Sequence, residues 1–123
     1  MPSGRQAILE AFDQLFDAAA ARLQIHCSPE ERAEMRTQFE QRMQATLEAV
    51  DAAPTPVELP DAVLADMRQA IETLSPAELA SLVAAIPLAQ RTHEMLRSIA
   101  FERARERLLE HLTSQADSRY GGH

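Results

Sequence analysis

Hydrophobic positions near the start of the chain recur at the spacing of an α-helix. Between residues 6 and 24 they fall in one stripe at about 100° per residue, with Glu10, Asp13 and Asp17 on the opposite side. The stripe consists of Ile8, Leu9, Phe12, Leu15, Phe16, Ala19 and Leu23. This pattern predicts an amphipathic first helix.

Two Ser-Pro-x-Glu tetrapeptides predict where later helices begin. Ser28 and Ser75 can each cap a helix, and the proline that follows suits the first helical position. Glu31 and Glu78, three residues after the serines, can bond back to the cap. The residues that flank the two tetrapeptides do not align, so they do not indicate an internal repeat.

The hydrophobic pattern between and after these two tetrapeptides predicts the helices and the linker in the middle of the chain. The second helix is expected to continue to Val50, and a third is expected from Asp61 to Leu74. The fourth should end near Ala85 because Pro87 cannot continue it. Residues 51–61 form a linker that should be extended, because prolines remove amide donors and restrict the preceding residue. These prolines are Pro54, Pro56 and Pro60.

The fold class predicted from these elements is an all-α, single-domain bundle of about five helices with a long C-terminal helix. The domain is expected to span residues 1–114, with a flexible tail at residues 115–123. The expected core consists of Ile8, Leu9, Phe12, Leu15, Phe16, Leu23, Phe39, Met43, Leu47, Leu64, Met67, Ile71, Leu74, Leu79, Val83, Met95, Leu96 and Ile99.

The last helix, predicted for about residues 88–114, carries two hydrophobic stripes on opposite sides. The first consists of Leu88, Thr92, Met95, Leu96 and Ile99, and the second of Phe101, Ala104, Leu108 and Leu112. The stripe inverts near Ala100, where no Gly or Pro marks a break. The helix could break there and fold back, or continue and bury its second stripe against a partner. A neighbouring helix of the same chain could also cover both sides.

A continuous helix with a second apolar stripe favours a binding surface. We therefore expect a non-enzymatic protein–protein interaction module that forms a homodimer or binds another protein through its C-terminal helix. The expected partner-binding residues are Phe101, Ala104, Arg105, Leu108, Leu109 and Leu112.

The amino-acid composition limits the classes of partner that the protein can bind. The 123 residues include 19 acidic and 12 basic side chains, for a formal charge of −7, which repels nucleic-acid phosphates and anionic lipids. A nucleic-acid partner is therefore not expected, and no uncharged apolar stretch is long enough to span a membrane. Every basic residue is arginine, which excludes a Schiff-base or P-loop lysine. The lack of Lys and Asn is typical of a GC-rich bacterial genome.

Signals for catalysis or metal binding are weak, so we expect no enzyme and no cofactor. Cys27 with His26 or His93 could form a reactive thiol, although a small buried cysteine explains it as well. His93, His111 and His123 lack metal-ligand spacing. A single cysteine cannot form an internal disulfide, which favours the cytoplasm.

Two alternative functions stay open at this point. Residues 77–97 could form a helix-turn-helix for DNA, with a turn at residues 85–87 and a recognition helix that displays Gln90, Arg91, His93 and Arg97. A bundle rich in methionine could instead open around a small apolar ligand.

Overall fold

The computed structural model describes residues 4–121, with side chains as far as Gln115. The helices are α1 Arg5–Arg22, α2 Pro29–Arg42, α3 Gln44–Ala52, α4 Asp61–Glu72, α5 Pro76–Ala84 and α6 His93–Gly121, and a short 3₁₀ turn covers Leu88–Gln90. No strand occurs in this part of the chain. The predicted all-α single domain with a long last helix is confirmed. The predicted tail, residues 115–123, lies almost wholly outside the described side chains.

The central helix of the domain is α1, which contacts α2, α3, α4 and α6. Ten of its 18 residues are buried, including Ala18, Ala19 and Ala20. Small side chains let neighbouring helices approach closely, so α1 buries more of its circumference than its stripe of large residues predicts. Glu10 and Asp17 remain exposed, as expected for the polar side.

The end of α1 turns without a glycine. Gln24 adopts the left-handed conformation with φ of 59°, and the amides of Gln24 and Ile25 donate to the carbonyls of Ala21 and Ala20. This is the hydrogen-bond pattern of a Schellman motif, which usually places glycine at this position. The turn buries Ile25 and directs the chain toward α2.

The predicted second helix is divided into α2 and α3 by a bend at Met43, where φ is −101° and ψ is 12°. Phe39, Met43 and Leu47 are all buried. Their four-residue spacing drifts about 40° per step around a straight helix, so the bend keeps Leu47 directed at the core. The domain therefore has one helix more than predicted.

Capping serines and prolines in the sequence determine the other helix boundaries. Both halves of the capping box form at α2, because Glu31 N donates to Ser28 Oγ over 3.2 Å and Ser28 N donates to the Glu31 carboxylate over 3.1 Å. At α5, Glu78 N donates to Ser75 Oγ over 3.1 Å. The proline-containing segment between α3 and α4 is not helical, and it buries Val57 against the start of the domain, where Gly4 N donates to the Val57 carbonyl.

Four phenyl rings join α1, α2 and α6 at the centre of the core. Phe12 stacks on Phe39 with ring centroids 4.1 Å apart, and it meets Phe101 edge-on at 5.4 Å. The ring centroids of Phe16 and Phe12 lie 5.8 Å apart. Pairs of this geometry add to the stabilisation from burial alone.

Candidate functional site

The second half of α6 belongs to the core of its own chain. Phe101 is 1% exposed, and Ala104 and Leu108 are fully buried. Helices α1, α2 and α4 contact α6 and cover this stripe. The expectation that these three side chains bind a partner is therefore corrected: their apolar surface is already buried within the chain.

The other three predicted contact residues lie at the edge of the same stripe. Leu109 and Leu112 are half-buried and pack against the core. Arg105 is half-buried as well and donates from Nη2 to the Glu102 carboxylate over 3.1 Å. Similar pairs join Arg103 to Glu106 and Arg107 to Glu110, as the alternating charges predict.

The exposed stripe lies at the other end of the same segment. α6 continues through Ala100 without a break, so its first half presents the opposite side. Leu88, in the 3₁₀ turn, is 80% exposed, and Met95 is 39% exposed. Met95 was expected in the core, and that expectation is wrong because the interior is filled from the second half of the helix. Leu96 reaches the core only in part, and Ile99 is half-buried.

Helix α5, which precedes this stripe in the chain, is also weakly packed. None of the nine described residues of α5 is buried, although Leu79, Leu82 and Val83 are apolar. These three are half-buried, and none belongs to the main hydrophobic cluster of the described residues. The expectation that Leu79 and Val83 are core residues is therefore corrected.

The exposed and half-buried apolar side chains between residues 79 and 95 are called here the α5–α6 corner. It consists of Leu79, Leu82 and Val83 on α5, Leu88 in the 3₁₀ turn and Met95 in the first turn of α6. Large apolar residues that stay partly or fully exposed within one short stretch of chain are candidates for an interaction surface.

Polar contacts hold this corner in place. His93 Nε2 lies 2.6 Å from the His26 carbonyl and must donate to it, since a carbonyl only accepts. Arg97 pairs with Glu31 at the start of α2. Arg91 Nε donates to the Ile86 carbonyl over 2.9 Å. Hydrogen bonds and ion pairs thus position a surface that the apolar core does not reach.

No protein-family model, no curated protein and no solved structure matches the chain. The function must therefore be inferred from the geometry of the domain. Among the helices described, none has the length and apolar character that a membrane span requires.

The geometry does not form the compact turn of a helix-turn-helix. Eight residues separate the end of α5 at Ala84 from the start of α6 at His93, where a turn of three or four residues is typical. Gln90 and Arg91 therefore lie before the helix that was expected to display them. Arg97 is engaged by Glu31.

Among the candidate chemical groups, the fold places the His93 ring against the backbone of His26, next to Cys27, whereas His111 lies near the other end of α6. Burial raises the pKa of the Cys27 thiol, with a smaller opposite effect from Arg97, which disfavours the nucleophilic thiolate. Burial lowers the pKa of His111. Burial also raises the pKa of Asp13, although Arg36 and Arg32 partly oppose this. Within the described residues, no three His, Cys, Asp or Glu side chains converge as a metal site would require.

The grooves of the described domain lie at its surface. A groove of about 200 Å³ between α1, the proline-containing segment and α4 is lined by Leu59 and Leu64 together with the carboxylates of Glu10, Glu58 and Asp61. The interior that a small apolar ligand would need is occupied by the phenyl rings.

The α5–α6 corner could have been found from its composition. The α5 sequence from Leu79 to Ala84 is apolar apart from Ser81, more than a short surface helix needs. In α6, the small Ala100 and Ala104 beside Phe101 mark the half that neighbouring helices can approach most closely.

Proposed function

We propose that the protein is a non-enzymatic protein–protein interaction module that docks through the α5–α6 corner. One observation carries this proposal: α5, rich in leucine and valine, places none of its nine residues in the core, and the neighbouring Leu88 is 80% exposed. Such a helix adds little to the stability of the domain, because it buries none of its residues in the core.

The energetics of these side chains favour binding. Full burial of a leucine or methionine side chain stabilises an assembly by about 1.5–3 kcal/mol relative to its exposed state. Leu88 retains most of that potential and Met95 a smaller part of it. Methionine also adapts its shape to the surface it meets, which suits a contact residue.

We infer an interaction module, not an enzyme, from the pKa shifts and the positions of Cys27 and His111. The Cys27 pKa is raised and that of His111 is lowered, in both cases by burial, and the two residues lie on different parts of the fold. We place the module in the cytoplasm of a bacterium, because the single cysteine forms no internal disulfide and arginine is the only basic residue type.

Photo-crosslinking in the native cell tests this function. A photo-reactive phenylalanine analogue at position 88 should form covalent protein adducts on irradiation, because the side chain would lie inside the docked interface. The matched control carries the analogue at position 48, where Glu48 is exposed on α3, and should give no such adduct.

A second substitution makes the result specific. Met95→Glu in the chain that carries the analogue at position 88 should remove the adduct, because it places a charge in the corner. The absence of any adduct at position 88, or an adduct that survives Met95→Glu unchanged, would overturn the proposed function.

A further inference from the structure

We infer that residues 75–92 form a strap that opens on the otherwise folded domain, and that the turn between α1 and α2 holds both ends of this strap. The strap consists of α5, the 3₁₀ turn and the residues that join them to α6. It opens in the isolated chain and needs no partner to do so.

The strap has little apolar packing. Helix α5 packs extensively against no other helix in the part of the chain that the structure describes, and none of its nine residues is buried. Ile86 is the single buried residue between positions 75 and 92, and it lies outside the main hydrophobic cluster. Segments with few buried apolar contacts open locally, at a lower free energy than global unfolding requires.

Two polar contacts hold the ends of the strap. Before its first residue, the Leu74 carbonyl accepts a hydrogen bond from Arg22 Nη2 over 2.7 Å. After its last residue, His93 Nε2 donates to the His26 carbonyl over 2.6 Å. Arg22 is the last residue of α1, and His26 lies in the turn that follows. One short turn of the chain therefore holds both ends.

The points of attachment belong to the folded domain. In the turn, Ile25 is buried in the main hydrophobic cluster, and backbone hydrogen bonds join this turn to α1. The first half of α6 is tied to α2 by the ion pair between Arg97 and Glu31. The strap is therefore a weakly packed loop between two fixed ends, and it can lift while the rest of the domain stays folded.

Residue-resolved amide hydrogen exchange of the full chain detects this opening. In the wild-type protein, the amides of residues 79–86 should exchange through an opening that depends little on low concentrations of urea, because it exposes little surface. The buried amides of α1 should instead exchange through global unfolding, with a steep dependence on urea. Circular dichroism should give the same helical content for the wild type and for every variant.

Two variants test the contacts at the ends. Arg22→Met and His93→Ala should each speed exchange by about two- to tenfold, the effect of one lost hydrogen bond. Each should do so throughout residues 79–86, because the strap opens as one unit. The double variant should multiply the two effects, since both contacts break in the same opening.

The matched control is an arginine at the opposite end of α1. Arg5 donates to the Asp51 carboxylate over 2.7 Å, and this contact stays intact when the strap opens. Arg5→Met should therefore leave the exchange of residues 79–86 unchanged, even if it lowers the global stability of the domain.

Three outcomes would overturn the strap. Exchange of residues 79–86 with the rate and urea dependence of α1 would show that the segment opens only with the whole domain. Variants at Arg22 and His93 that leave exchange unchanged would show that the turn does not hold the strap. Effects confined to the amides beside each substituted residue would show local fraying of the ends. Since the purified chain is measured alone, all these results are independent of photo-crosslinking in cells.

Discussion

Leu108 and Leu88 are the same residue type in opposite environments. Leu108 is fully buried on α6, whereas Leu88 is 80% exposed. Removal of a buried leucine side chain costs its transfer free energy and leaves a cavity. Removal of an exposed side chain costs neither. The two positions therefore separate the residues that fold the domain from those that remain for binding.

Leu108→Ala should lower the free energy of unfolding by about 2–5 kcal/mol. Leu88→Ala, the matched control, should change it by no more than about 0.5 kcal/mol. Urea denaturation followed by circular dichroism, at a dilution where the chain is monomeric, measures both. Similar losses for the two variants would contradict the assignment of the second half of α6 to the core.

His111 gives the stability of the domain a dependence on pH. Burial lowers its pKa below the ordinary value of 6.5, so the unfolded chain binds a proton more readily than the folded chain. The stabilisation that this difference gives is present above pH 6.5 and is lost as the pH falls through the folded pKa. The cleft around His111 also contains Asp66, Arg107 and Glu110.

His111→Gln should reduce this dependence, because glutamine does not titrate. We expect the melting temperature of the wild-type protein to fall more steeply than that of the variant between about pH 7 and pH 5. Thermal melts across this range measure the difference, and acidic residues common to both proteins cancel in the comparison. A variant with an equal or steeper slope would show that burial does not govern the protonation of His111.

The helices differ in how far they depend on the core. α2 begins with a complete capping box and buries Met35 and Phe39. α5 begins with a similar serine cap, but none of its nine residues is buried. The same local signal therefore starts one helix that supports the domain and another that only covers its edge.

Ser28→Ala should lower the free energy of global unfolding by about 1 kcal/mol, because α2 unfolds with the domain. Ser75→Ala should have a smaller global effect and should instead speed amide hydrogen exchange within α5. Denaturation and hydrogen exchange of the two variants measure this contrast. Equal global losses would mean that α5 is an integral part of the cooperative core.

The sequence predicts a helix well where its start or its hydrophobic stripe depends only on residues close by in the chain. The stripe from Ile8 to Leu23 and the serines at positions 28 and 75 were sufficient to place the first, second and fourth helices. The bend at Met43 was not predictable, because it depends on keeping Leu47 against α1. The start of the last helix was placed at Leu88, five residues too early, since Pro87 is followed by a 3₁₀ turn.

At the scale of the molecule, the inversion of the apolar stripe near Ala100 was visible in the sequence, but its meaning was not. Periodicity shows that both halves of α6 have an apolar side. It does not show that Phe12 and Phe39 come from distant segments to surround Phe101. The chain's own core therefore covers Phe101, Ala104 and Leu108, and the most exposed large apolar residue, Leu88, precedes the other end of the helix.

The whole molecule is thus a core built around α1 with an apolar corner at one end. The acidic charge lies outside that corner, since residues 75–99 are neutral and the chain carries −7.

Amide hydrogen exchange of the dilute protein tests this account most directly. When the protein is dilute, the amides of α5 and of the 3₁₀ turn should exchange rapidly, while those of α1 and of the second half of α6 stay protected. Protection of α5 equal to that of α1 would contradict the account.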